Sequence, residues 1–353
     1  MKKMTLIAAL ATVIFMGAYA SAIAADKYRI VWSHYTGWEP WQYIMDSGIM
    51  AKWAGKYNCQ IEITHVNDYI ESINMFTSGR VDGSTMTNID ALTIPAVSGV
   101  DSTVLIIGDF SNGNDGIVLL NGRSVKDLKG RKLRIVELSV SHYLLTRALS
   151  LNDMSEHDLT LVNTGAGDIE RLFKSESKRN PKAAICTWNP LLMQVRNVKG
   201  ANLVFDSSKI PGEIIDGLVV RSDLPDNAKK ALVGAWFEAM SIMSSRSKKG
   251  RNAIKAMARF AGGTLREFQA QLRTTAMFYR AREAADFARS PKLKQTMEYV
   301  RTFCFDHGLY GKNAPDKNVV GIQFDDGSVI GDRGNVNLRF PAKYMQMAAD
   351  DKL

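Results

Sequence analysis

The chain is poor in the residues that build most small chemical sites. Only three cysteines, Cys59, Cys186 and Cys304, are scattered through 353 residues. Their number is odd and no CxxC pair occurs, so at most one disulfide can form and bridges do not hold the fold together. The five histidines (34, 65, 142, 157, 307) show no HExxH or other metal-ligand spacing, so no resident metal is expected. A GxSxG elbow and a local Cys–His pattern are both missing, which removes the usual hydrolase signatures. No run of five or more Lys/Arg occurs, which argues against a nucleic-acid partner. There is no internal repeat and no low-complexity tract. Beyond the first two dozen residues there is no second long apolar run, so the remainder is expected to be soluble.

What is present starts with an export pattern. Lys2 and Lys3 form a positive n-region, Thr5 to Tyr19 is apolar, and Ala22-Ile23-Ala24 supplies a small-x-small cleavage site. Ala20-Ser21-Ala22 is a second cleavage option. The apolar run is short of the ~20 residues that span a bilayer, so cleavage near Ala24 is expected rather than a retained anchor. Cleavage there leaves 329 of the 353 residues, more than one hydrophobic core usually supports, and two lobes are expected. Losing Lys2 and Lys3 lowers the formal charge from +9 to +7. The remaining composition, 46% hydrophobic and 23% charged, is that of a globular chain and excludes disorder.

Hydrophobic periodicity places strands at 28–32, 60–65, 83–86 and 104–108, with helices at 37–57, 70–78 and 91–98 between them. Alternation of this kind predicts a mostly parallel sheet covered by helices. A second series runs from Gly116 to about Val220, with strands at 117–120, 132–136, 159–163, 183–187, 202–206 and 217–220. From Asn227 the pattern is nearly all helical, and short strands at 319–324 and 336–340 follow. The expected organisation is a leader (1–24), a discontinuous first lobe (25–115 plus 221–353) and an inserted second lobe (116–220). Two crossovers between lobes imply closure around a ligand in the cleft.

Asp127-Leu128-Lys129-Gly130-Arg131-Lys132, followed by Ser141-His142-Tyr143-Leu144-Leu145, resembles the "DLKGKxV…S.HxLL" signature of type II periplasmic substrate-binding proteins. These serve ABC importers for taurine, aliphatic sulfonates, nitrate and thiamine precursors. Ser78-Gly79-Arg80-Val81-Asp82-Gly83 and Thr187-Trp188-Asn189-Pro190 are similar to two further segments of that superfamily. The resemblance covers roughly residues 28–300. Residues 35–41, 67–72, 108–116, 205–213 and the tail from Val320 to Met345 resemble a narrower group, the binding proteins associated with urea carboxylase, an enzyme group linked to guanidine use. The resemblance implies a periplasmic-binding-protein-like II fold, two α/β lobes around a hinged ligand cleft. It also implies an ABC permease in the inner membrane with its cytoplasmic ATPase as partner, a periplasmic location, a monomer and no cofactor.

In such sheets ligands sit beyond the carboxyl ends of strands. That rule brings 33–41, 87–90, 109–115, 137–142 and 187–190 to the cleft, with 206–216 near the second crossover. The candidate ligand residues are Tyr35, Trp38, Glu39, Trp41, Asn88, Asp90, Asp115, Glu137, Ser139, Ser141, Trp188 and Asp216. Asp109 and Glu213 add to the acidic character, and no Arg lies in these loops. Where the sulfonate-binding pattern has Gly-Ser, this chain has Leu138, preceded by Glu137. An anion site favours Arg, Lys and bare backbone N–H groups. At ~4 Å and an effective dielectric of ~20, one unlike pair is worth roughly 4 kcal/mol before desolvation, so sign weighs more than shape. The residues therefore suit a small planar cation such as guanidinium, or urea, held by carboxylates and stacked on Trp faces. Ser139, Ser141 and Asp90 are equally suited to capping the helices they precede. Glu137 is alternatively a partner of Arg134, and Trp53 and Trp236 are read as core. The competing functional classes are an importer for a sulfonate, nitrate or other amine, a periplasmic ligand sensor, and an enzyme, the last without a sequence signature.

Overall fold

The computed structural model describes residues 26–353, so the leader reading of residues 1–24 lies outside the described residues. Two sheets organise them. The first contains β1 (Lys27–Trp32), β2 (Gln60–His65), β3 (Gly83–Thr87) and β4 (Ser102–Ser111) from the N-terminal part. The chain then builds the second sheet from β5 (Asp115–Leu120), β6 (Lys132–Ile135), β7 (Thr160–Asn163), β8 (Ala184–Trp188) and β9 (Ala201–Asp206). It returns to the first sheet with β10 (Ile215–Arg221), β11 (Thr275–Met277), β12 (Gly321–Phe324), β13 (Val329–Ile330) and β14 (Val336–Phe340). The first sheet runs β13-β12-β14-β4-β10-β3-β1-β2 with β11 on β4, and the second runs β7-β6-β8-β5-β9.

Strand burial explains the layering. β3 and β5 are buried at every position, as expected of strands covered on both faces. One face of the first sheet packs on Pro40–Asp46, Ile49–Lys56 and Asp226–Ser244, around Trp32, Trp41 and Trp236. The other face packs on Tyr69–Thr77 and Pro291–Asp306, and this core runs on into the second lobe through Tyr143 and Leu144.

Three local features depart from the periodic reading. The helix expected over 37–57 is broken at Gly48, whose φ of 75° a side chain would resist, giving two shorter helices. The helix expected over 91–98 becomes one α-turn from Asn88 and a wide turn at Leu92–Ala96, because Pro95 cannot donate to the helical ladder. Residues 217–220, read with the inserted lobe, lie in β10 of the first sheet. There β10 is antiparallel to both β3 and β4, so the centre of that sheet is mixed. The three cysteines are free and buried. Among the described residues no helix is long and apolar enough to cross a membrane.

Candidate functional site

The strand ends converge on a cavity of about 430 Å³ between the lobes. The loop after β1 supplies Ser33, Tyr35 and Trp38, the end of β3 leads to Asp90, and β10 supplies Asp216. The second lobe contributes Asp115 and Trp188, which face each other across the β5/β8 ladder. Ser139 lines the cavity as the N-cap of Val140–Ser150, its side chain accepting from the Ser141 N–H. The structure thus brings together Tyr35, Trp38, Asp90, Asp115, Ser139, Trp188 and Asp216.

The acids are held individually. Asp90 accepts from Tyr69 Oη at 2.5 Å and Thr87 Oγ1 at 2.7 Å. Asp115 accepts from Ser111 Oγ at 2.5 Å. Asp216 lies directly opposite Asp109 in the β4/β10 ladder, and Tyr35 Oη donates to Asp109 Oδ1 at 3.0 Å. Burial pushes the Asp115 carboxyl up to about 6 despite that bond. Burial and then the charge of Asp109 push Asp216 well above the carboxylate range. Asp109 is raised too, chiefly by burial, and its Oδ2 is buried without a partner. Two facing buried carboxyls cannot both ionise cheaply, so this pair shares a proton.

Aromatic rings form the walls. Trp38 lies 5.0 Å from Tyr35 and 5.5 Å from Tyr69 between ring centroids. Its Nε1–H and the Ser33 hydroxyl are buried without partners. Among the described residues no Lys or Arg lines the cavity, and His34 is the single basic side chain there.

A polar seam joins the two crossovers beneath the site. Asn114 Nδ2 donates to Tyr35 Oη at 3.2 Å and to Thr275 Oγ1 at 2.5 Å, while its Oδ1 accepts from Asn189 and Thr274, both at 2.8 Å. Ser207 Oγ accepts from the Gly113 N–H at 2.7 Å.

Five candidates lie elsewhere. Trp41 is core: it sits in the first helical turn and packs on Trp236 at 4.9 Å, away from the cavity. Glu39 faces a separate recess of about 250 Å³, with Oε1 2.7 Å from His34 Nδ1. Asn88 is a backbone brace, donating to the Glu213 carbonyl and accepting from the Ile215 N–H. Glu137 is half-buried and does not line the cavity; Arg134 pairs instead with Glu176. Ser141 is buried behind the cavity wall, its carbonyl accepting from Cys186 Sγ. Glu213 also leaves the site, since Tyr143 and Arg147 satisfy its carboxylate.

Sequence reasoning brought Ser33 to the cleft without naming it as a candidate, and it missed Tyr69. Tyr69 follows β2, and the same strand-end rule applied to that junction would have found it. It also missed that His142, Glu156 and His307 bring ligand-type atoms within 4.8 Å of one another, the one such trio among the described residues. Their hydrogen bonds leave no metal-binding set. The Leu138 N–H donates to His142 Nδ1 at 3.0 Å, so the ring proton is on Nε2, the atom a metal would need.

No family model matches the chain, and no curated relative matches it. Solved structures do. The alkanesulfonate-binding protein SsuA of Xanthomonas axonopodis pv. citri, bound to MOPS, is similar with a TM-score of 0.61 at 14% identity, over 83% of this chain and 97% of that one. A sulfonate ABC transporter periplasmic binding protein of Methylobacillus flagellatus is similar with a TM-score of 0.63 at 12% identity, over 93% and 95%. The desulfurization enzyme DszB is similar with a TM-score of 0.54 at 13% identity, over 80% and 93%. Binding proteins and an enzyme thus share this architecture. What the likeness establishes is the fold: two α/β lobes of the periplasmic-binding-protein type around one cleft.

Proposed function

We propose that this chain is an extracytoplasmic solute-binding protein that delivers a small nitrogenous cation, guanidinium or a close analogue, to an ABC importer. The observation that carries this reading is one cavity lined by Asp90, Asp115 and Asp216 with Trp38, Tyr69 and Trp188, and by no Lys or Arg among the described residues. Carboxylates accept paired N–H bonds from a planar guanidinium, and the indole faces add cation–π attraction. The resemblance to urea-carboxylase-associated binding proteins supports the same ligand. The lobes, expected as 25–115 plus 221–353 and 116–220 but with Asp115 in the second sheet and β10 in the first, would close over it by bending at the two crossovers, with residues 1–24 directing export to the periplasm. A monomer suffices for this role.

A second reading has its own observation. The orphaned Trp38 Nε1–H and Ser33 hydroxyl suit a ligand that also carries an oxygen acceptor. Urea satisfies that, and so does an amino-sulfonate whose ammonium meets the acids and whose sulfonate meets the N-terminus of Val140–Ser150. Presenting a ligand to a receptor domain would use the same closed form.

The test is a thermal-shift and calorimetric screen of the mature chain with guanidinium, urea, taurine, an alkanesulfonate and nitrate. Binding to the folded state alone stabilises by about 2.7 kcal/mol at 100 times Kd. Micromolar guanidinium binding supports the cation reading. A response to sulfonate or nitrate alone overturns it and leaves the importer role. Loss of uptake in a deletion strain separates transport from sensing.

A further inference from the structure

We propose that His307, Glu156 and His142 form a proton-operated clasp that ties the two lobes together beside the cleft and releases them as His307 loses its proton.

The three residues come from both lobes. His142 stands in the first turn of Val140–Ser150 and Glu156 in the turn that follows that helix, both in the second lobe. His307 caps the C-terminus of Pro291–Asp306 in the first lobe. Glu156 Oε1 is 2.7 Å from His307 Nε2, 3.1 Å from His142 Nε2, and accepts from Thr146 Oγ1 at 2.9 Å.

The hydrogen-bond directions fix the protons. His142 Nδ1 accepts from the Leu138 N–H, so its Nε2 donates to Glu156. His307 Nδ1 lies 2.8 Å from the Phe303 carbonyl, which can only accept, so Nδ1 carries a proton. Glu156 Oε1 already accepts from two other donors and is a carboxylate, so His307 Nε2 must also donate. His307 is therefore an imidazolium in this arrangement. It also sits at the negative end of a helix, which favours the charge.

The charged and titratable neighbours agree. Glu156 and His142 face His307 from the second lobe, and Asp306 adjoins it on its own helix. Arg147, one turn beyond His142, is committed to Glu213. Burial alone would lower the His307 value, but the Glu156 bond and the Phe303 carbonyl raise it above the usual imidazole range. The bonds from His142 and then His307 hold Glu156 well below the carboxylate range. A raised imidazole stabilises the clasp fully below about pH 6.5 and ceases to do so as pH rises through its folded value.

The clasp also touches the cleft wall. Leu138, which supplies the N–H to His142, directly precedes Ser139 of the cavity lining. Freeing His307 removes the charged tie between the first lobe and the helix whose N-terminus lines the cavity, leaving the apolar packing of Tyr143 on Phe303 there.

The test reads lobe separation without ligand, so it is independent of the proposed cargo. The native cysteines are buried, so dyes can be placed on Lys178→Cys in the second lobe and Lys255→Cys in the first. Energy transfer in the full mature chain should change between pH 5.5 and 8.5, with a midpoint above 6.5. His307→Gln and Glu156→Gln should remove that change, and His157→Gln, an exposed neighbour, should leave it. Identical curves for wild type and His307→Gln overturn the proposal. So does a transition that follows added Zn²⁺ and reverses with chelator. If the variants fail to fold, ¹⁵N imidazole shifts of the wild type decide: a doubly protonated His307 at pH 6 supports the clasp, and a neutral one refutes it.

Discussion

Cation capture by this cavity should release a proton below neutrality. Asp115 faces the cavity with its carboxyl pushed up to about 6 by burial, so without a cation beside it that carboxyl holds a proton in mildly acidic solution. A bound guanidinium favours the carboxylate and expels that proton. With the Asp109–Asp216 proton retained throughout, affinity should be nearly flat above pH 7 and fall tenfold per unit well below 6. Between pH 7.5 and 4.5 the loss is ~30-fold, or about 2 kcal/mol. Calorimetry in buffers of different ionisation enthalpy counts the protons directly. Close to one should leave at pH 5 and almost none at pH 7.5. Asp115→Asn should abolish the release and hold guanidinium affinity at its low-pH value. An anionic ligand predicts the opposite sign, with a proton taken up and tighter binding in acid. Guanidinium binding that is independent of pH would refute the reasoning, because Asp115 would not then meet the ligand's charge.

Three substitutions separate binding from folding. Trp38→Ala should weaken guanidinium binding about 2- to 30-fold by titration calorimetry, from a cation–π contribution of ~0.5–2 kcal/mol, while Trp38→Phe retains part of it. Trp41→Ala should cost about 3–5 kcal/mol of stability in urea unfolding and leave the affinity of the folded fraction unchanged, since Trp41 packs on Trp236. Gly37→Ala should destabilise by about 1–3 kcal/mol, because its Cβ would collide with Asp109 Oδ2 and meet Tyr35 Cε1 at 2.7 Å.

Strands were legible at 60–65, where apolar and polar residues alternate, and at 336–340; these match β2 and β14 residue for residue. Periodicity says nothing of strand direction, so β10 could not be read as an antiparallel insertion between β3 and β4. β11 spans three residues and Leu191–Arg196 six, too short to show a period. In the site, the strand-end rule found Asp90, Asp115, Trp188 and Asp216 because backbone topology alone carries those positions to the cleft. It could not separate Trp38 from Trp41. Three residues apart, one closes over the cavity and the other turns into the core, and only the start of the helix at Pro40 decides which. The clasp was out of reach, since Glu156 and His307 are 151 positions apart and meet only through the packing of two lobes.

Leu138 adopts a backbone conformation that its own side chain resists. The sequence has a leucine there where the resemblance has glycine, and the backbone has a left-handed conformation of the kind glycine favours, with φ of 61°. A left-handed leucine costs roughly 1–2 kcal/mol. The side chain is 47% exposed, so packing recovers little of that. The conformation is held from outside the residue: its N–H donates to His142 Nδ1, and Ser139 must turn inward to cap Val140–Ser150. Leu138→Gly should therefore relieve the strain and lose only the greater freedom of glycine in the unfolded chain, about 0.5–1 kcal/mol. The net change is ~0–1.5 kcal/mol of stabilisation, a rise of up to about 2 °C in Tm by calorimetry. Guanidinium affinity should stay unchanged, because the cavity side of the turn is Ser139. A fall in Tm would mean that the leucine side chain supports the turn, and that the glycine-type backbone is a consequence of its packing rather than of the His142 bond.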